Sequence, residues 1–207
     1  MKLIVPIPSE SGWVAGSADE LGMILGIGAG ALALEREVQN MFAGKADKAL
    51  SRMKVGQEIG ESGFRAHWGE FKDGDYHVVG SEAWIDCALD FNCSLLQSAQ
   101  IYQQGNDPEQ IELYPAGELI LEPRARDHKH WRESWQSHGG SVGKNGRRFA
   151  LKNHPVWLAM SPFNHRHPPY AFQSWLSTQE ISSLEAKESG WSPPSWRVSA
   201  LLCPGCV

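Results

Sequence analysis

Apolar residues fall at helical spacing through the first half of this chain and in short extended runs through much of the second. From Ser81 to Gln104, Trp84, Ile85, Ala88, Leu89, Leu95, Leu96, Ala99 and Tyr102 share one helical face, and Gly105-Asn106-Asp107-Pro108 stops the helix. Ser17 and Asp19 are placed to cap an earlier helix, from about Glu20 to Phe42, which Gly44 ends. Gly22, Gly26, Gly28 and Gly30 each cost that helix roughly 1 kcal/mol against Ala, so their expected use is close packing against a neighbour. Ala46 to Ile59 predicts a further helix, followed by a loop-rich stretch holding Gly60, Gly63, Gly69 and Gly74.

Beyond Pro108 the pattern changes. Tyr114 to Glu122 reads as an extended segment entered through Pro115, and Arg147 to Lys152 as another strand with Lys144-Asn145-Gly146 as the turn. Trp131 to Ser137 reads as a short helix ended by Gly139-Gly140. Pro155 opens another at its first position, and Pro162 closes it. Gln179 to Ser189 predicts a last helix. The fold class is therefore α+β: a helical, loop-rich region over 1–78, a small mixed α/β core with short antiparallel strands over 79–190, and a Pro- and Cys-containing tail over 191–207.

Charge sharpens this division. Residues 1–121 hold 8 Lys/Arg against 18 Asp/Glu, residues 122–170 hold 9 against 3, and the remainder holds 2 against 3, so −10, +6 and −1 sum to the net −5. A basic middle segment suits an acidic partner, whether nucleic acid or protein, or else neutralises the chain's own acidic half. Tyr114 to Trp175 also carries four of the nine Trp and six of the eight His, a concentration expected of a binding surface or a catalytic pocket. The start MKLIVPIPSESGW is too broken by Pro6 and Pro8 for a secretory signal. The apolar run Leu21 to Leu34 is too short to span a bilayer, so a soluble protein without membrane contact is expected. Four scattered cysteines, Cys87, Cys93, Cys203 and Cys206, predict a reducing compartment and idle thiols rather than a disulfide framework.

Three motifs bear on chemistry. Gly26-x-Gly28-x-Gly30 lacks a third glycine at the spacing of a dinucleotide site, and no clear strand precedes it. Cys203-Pro204-Gly205-Cys206 supplies half a zinc site that His165 and His167 could complete, at a spacing foreign to common ones. Asp127-His128, then Asn145 or Asn153, then His154 follows the order of residue types in the ββα-metal (HNH) nucleases. There His128 would activate water while Asp127 and His154 held a divalent metal. The competing reading is of histidines hydrogen-bonded on a Trp-rich surface.

A broader resemblance runs from Asn92 onward. It is carried by SLLQSAQIYQQGNDPEQIELYPAGEL, RARDHKHWRESWQSHGG and GRRFALKNHPVWLAMSPFNHRHPPYAFQS, in that order. In these segments the chain resembles the phage Mu F-like head morphogenesis (minor head protein) family, in a branch found in prophages. Tyr170 stands where that branch has Phe, Trp175 where it has Gly, and the Cys-x-Cys after the Pro-Pro turn of more typical members is absent. The resemblance implies a bacteriophage virion structural or assembly protein at the head or its portal (neck) vertex, in the virion and, during assembly, in the host cytoplasm. It implies binding without turnover, no cofactor, no catalytic or metal residue, portal or capsid partners and a homo-oligomer. Trp131, Trp135, Trp157, Tyr170 and Phe172 are the expected structural core. Arg147, Arg148 and Lys152 are the expected contacts to acidic partners or packaged DNA.

Overall fold

The computed structural model describes residues 3–9, 12–17, 28–61, 80–123, 128–172 and 174–191. The chain divides into two compact units, Met1–Gln97 and Ser98–Val207. The boundary expected after residue 78 lies outside the described residues.

The first unit begins with an antiparallel hairpin, β1 (Ile4–Ser9) and β2 (Gly12–Ser17). Two prolines in β1 argue against a strand, yet they cost no ladder bond. The Ile4 amide donates to Asn92 Oδ1 at 2.9 Å rather than to β2, so amides at positions 4, 6 and 8 share the outward edge, where Pro6 and Pro8 have nothing to lose. Asn92 returns donors to the carbonyls of Ile4 and Ala88, both at 2.7 Å, and Trp84 Nε1 donates to the Pro6 carbonyl at 3.0 Å. Helices α1 (Gly28–Phe42), α2 (Lys48–Glu61) and the start of α3 (Glu82–Gly105) complete this unit. Leu3, Val5, Leu34, Val38, Val55, Trp84, Ile85 and Leu89 form its core. Gly30 lies where a Cβ would come 2.6 Å from Ile59 Cγ1, so close packing does explain one of the glycines of α1. Residues 18–27, with the expected start of that helix, lie outside the described residues.

The second unit holds the last turns of α3, then α4 (Pro108–Leu113), β3 (Ala116–Leu121), α5 (His128–Ser137), β4 (Ser141–Val142), β5 (Arg148–Leu151), α6 (Val156–Ala159), β6 (Leu176–Ile181) and α7 (Ser183–Glu188). The strands form an antiparallel sheet in the order β4-β5-β3-β6. This is the α+β core that the patterning predicts. The segment that ends α3 also starts α4, because Asp107 accepts from the Glu109 amide at 3.0 Å and Pro108 fits the first turn.

One expectation is corrected here. Gln179 to Ser189 is not a single helix: residues through Ile181 form β6 on the free edge of β3, and the helix starts only after Ser182. Ser182 and Glu185 make a reciprocal capping box that fixes that start.

Alternation along β3 separates two faces. Leu119, with Ala150 of β5 and Leu176 of β6, packs on Trp135, Trp157 and Tyr170. Ala116, with Phe149 and Ile181, packs on Ala186 and Trp191. Each layer is pinned by a helix end. Gly139, at φ 81°, lets the amides of Gly139 and Gly140 return to the carbonyls of Gln136 and Trp135 at the end of α5. Gly190, at φ 78°, does the same after α7 and delivers Trp191 onto Phe149, ring centroids 5.7 Å apart.

Candidate functional site

Trp157 is the centre of the site. It reaches the sheet because β3 carries Gly117 beneath it, where a Cβ would stand 3.1 Å from Trp157 Cζ2. Its Nε1 donates to the Leu151 carbonyl at 2.8 Å, so the buried indole leaves no polar atom unpaired. Trp135 meets it edge-on at 5.0 Å, and Tyr170 stacks on its other side at 6.3 Å. Trp135 Nε1 donates to the Ser141 carbonyl at 3.0 Å. Trp131 packs against the same cluster while partly exposed, and Phe172, half-buried, meets Phe163 edge-on at 5.4 Å. Of the five expected core aromatics, three are therefore fully packed and two lie at the margin.

The segment after α6 covers this layer with imidazoles. His165 and His167 stack at 4.8 Å, and His167 also faces Tyr102 of α3 at 5.6 Å. Burial, then the neighbouring His167, pushes His165 down to about 4, and burial lowers His167. Both rings are thus neutral near neutral pH. His167 Nδ1 lies 3.0 Å from the Pro168 carbonyl and so carries the proton, which leaves Nε2 as an acceptor. The Pro168–Pro169 bond is cis.

Between the end of α3, the sheet and this segment lies a cavity of about 230 Å³, lined among others by Tyr102, Gly105, Lys152, Trp157, His167 and Glu180. Lys152 is buried, and its ammonium reaches the Gly105 carbonyl and Glu180 Oε1, each at 2.6 Å. Arg166 lines the same space and donates from Nη1 to the carbonyls of Asn153 and His154 at 2.7 and 3.1 Å. Two of the three segments that carry the resemblance contribute to this wall: the first through the end of α3 and Gly117 of β3, the third through Lys152, Trp157 and Pro168.

The three cations singled out in the sequence are not equivalent. Arg147 grips Glu118 with two bonds of 2.9 and 2.6 Å, adds one to the Ser189 hydroxyl, and lies over the Phe149 ring. Those bonds to Glu118 hold its guanidinium above its ordinary range. Lys152 is internal as just described. Both are bonded within the chain, Arg147 at a partly exposed position and Lys152 at a buried one, so neither is the unpaired surface cation that the expected outward contact calls for. Arg148 differs: it donates to the Gly146 carbonyl at 2.9 Å, its buried Nε has no partner, and burial and then the nearby Arg132 lower its pKa. Arg132 was not among the singled-out cations. Its place beside Arg148 depends on α5 packing against β4, the neighbour of β5 in the sheet, which no local pattern reveals.

For the nuclease reading, Asp127 and the side chain of His128 lie outside the described residues, as do Cys203 and Cys206. Asn145 occupies a tight turn at φ 57°. His154 Nδ1 accepts from the Val156 amide at 3.1 Å, and burial followed by Arg166 lowers its pKa. Among the described residues, no three His, Cys, Asp or Glu side chains are grouped to hold a metal ion. Cys87 and Cys93 are free, and burial followed by Asp90 pushes the Cys87 thiol up to about 11, as an idle thiol should be. No described helix is long and apolar enough to cross a membrane.

No protein-family model, no curated protein and no solved structure matches this chain.

Proposed function

We propose that this chain is a bacteriophage structural or assembly protein acting by binding at the head or its portal vertex. The observation that carries the reading is the use made of the residues behind the resemblance. Trp135, Trp157 and Tyr170 lock one another into a rigid layer, with every indole N–H on a carbonyl. These rings are buried and contact no partner themselves; a layer so fixed holds the exposed residues around it in place, which lowers the entropic cost of recognition. Arg148 and Arg132, which share no carboxylate within 4.0 Å among the described residues, are among the cations left for an acidic protein surface or packaged DNA. The acidic first unit of one copy and the basic segment of the next provide complementary surfaces for a homo-oligomer.

Light scattering of the purified chain across salt, with and without a bacteriophage portal protein, tests this. A ring, or a stable complex that weakens as salt rises, supports the proposal; a monomer indifferent to the portal protein at low salt overturns it. Incubating DNA with the protein and Mg²⁺ or Mn²⁺ tests the competing nuclease reading, which requires cleavage that disappears in His128→Ala.

A further inference from the structure

We infer that the cavity at the end of α3 is a binding site for a small molecule with one planar apolar ring and one hydrogen-bond-accepting end, a monocarboxylate being the strongest member of that class. The inference is independent of the phage reading. Its size sets the first limit. At about 230 Å³ among the described residues, the space exceeds the ~150 Å³ that holds benzene and falls below the ~300 Å³ where drug-sized pockets begin. One ring with a short arm fills that volume.

The walls set the shape. Trp157, Tyr102, His167 and Pro168 present flat apolar surface, and planar rings gain most from such walls through offset or edge contacts. The polar groups set the chemistry. An ammonium has three N–H donors, and Lys152 commits them to the Gly105 carbonyl and to Glu180 Oε1, leaving a donor over. Arg166 has only Nη1 committed, to two carbonyls. Two cations and one carboxylate line the cavity, Lys152 paired directly with Glu180, so its wall carries a net positive charge beside the acceptors Glu180 Oε2 and His167 Nε2. That net charge favours an anionic end on the ligand. A shallow hollow beside the cavity is lined by Asp107, Glu109 and Glu180, so a second negative charge on the ligand is repelled. A phosphate monoester is disfavoured on that ground and a monocarboxylate is not.

The same chemistry is offered by a free small acid and by the C-terminal aromatic residue of a peptide. Calorimetry on the full chain, with saturation-transfer NMR for weak binders, compares phenylacetate, phenylacetamide, phenethylamine and Gly-Gly-Phe. Phenylacetate is expected to bind in the millimolar range or tighter and about tenfold better than its amide, the value of a charged over a neutral hydrogen bond. Phenethylamine is expected not to bind. Tighter binding of Gly-Gly-Phe than of phenylacetate identifies a peptide terminus as the source, and the reverse order a free acid. Ser98→Trp, which fills the cavity from α3, removes binding; Thr178→Trp does so from β6 should the first variant fold poorly. No binding of any probe overturns the inference, as does phenethylamine binding as well as phenylacetate, or unchanged affinity in a folded filling variant.

Discussion

Gly140→Ala tests the packing of Trp135 at a glycine that does not need a left-handed backbone, so alanine carries no torsional penalty there. Its Cβ, however, would stand 2.3, 2.4 and 2.6 Å from Cε2, Nε1 and Cδ2 of Trp135. Carbon atoms pack at about 3.5–4.0 Å, so the indole must retreat by roughly 1 Å. It has no room to do so. Trp135 is fully buried, held edge-on by Trp157 at 5.0 Å and by its bond to the Ser141 carbonyl. Overpacking costs about 1–3 kcal/mol, the displaced hydrogen bond about 1 kcal/mol, and the loosened aromatic pair about 0.5–1.5 kcal/mol. The lower entropy of the unfolded alanine chain returns about 0.4–1 kcal/mol. A net loss of about 1.5–5 kcal/mol follows.

The comparison variant is Gly146→Ala. There the surroundings are open, with nothing within 4 Å of an added Cβ, but φ is 74°, so the cost is torsional, about 1–2 kcal/mol. Urea unfolding followed by tryptophan emission and by far-ultraviolet circular dichroism measures both. Gly140→Ala should be the more damaging, with altered indole emission even in the folded state. A Gly140→Ala midpoint equal to or above that of Gly146→Ala refutes the packing argument, because it means that the indole yields without cost.

Trp175 has φ 50°, so Trp175→Gly should be more stable than Trp175→Ala by about 1 kcal/mol, inverting the usual order of those residues; equal melting temperatures would refute the strain. Arg147→Met strands the Glu118 carboxylate, only 8% exposed, and should cost about 3–5 kcal/mol in urea unfolding, with Glu118→Met in the same chain recovering most of it. His165 is lowered from 6.5 to about 4, so the unfolded chain binds a proton that the folded chain refuses between those values. Stability is thus full above pH 6.5 and is lost as pH falls toward 4, by about 1–2 kcal/mol after discounting for partial exposure. His165→Asn should flatten the melting temperature over that range, and an unchanged slope would refute the assignment.

The fold was legible where local chemistry and tertiary contact agree. The periodic face of α3, the turn at Lys144-Asn145-Gly146, the Gly139-Gly140 stop and Pro155 at the opening of α6 all encode their own conformation. β1 and β6 were not legible, for opposite reasons. In β1 the prolines read as strand breakers, and only the direction of the Ile4 amide, set by Asn92 far along the chain, shows that their edge is free. In β6 the sequence Leu-Ser-Thr-Gln-Glu-Ile is apolar only at its ends, because an edge strand exposes its middle on both faces. Helix was the better local reading. The Ser182-Ser183-Leu184-Glu185 signature was the overlooked signal, since a capping box fixes where a helix starts and so leaves the preceding residues for a strand.

The site was legible in its aromatics and not in its charges, and the difference is physical. A large aromatic in a Pro- and Gly-punctuated segment has few fates other than burial, so Trp135, Trp157 and Tyr170 could be assigned before any contact was known. A lysine or arginine goes wherever a carboxylate or carbonyl meets it, and those partners here lie 28 or more residues away: Glu118 for Arg147, Glu180 for Lys152, the Gly105 carbonyl again for Lys152. The basic surplus of the middle segment is therefore partly cancelled inside the second unit, and Arg148 with Arg132 keeps a share that is not. The same pairing that withdraws Lys152 from the surface places the residue in the wall of an aromatic-lined cavity. A residue lost as a contact for a large acidic partner is by that geometry gained as a contact for a small one.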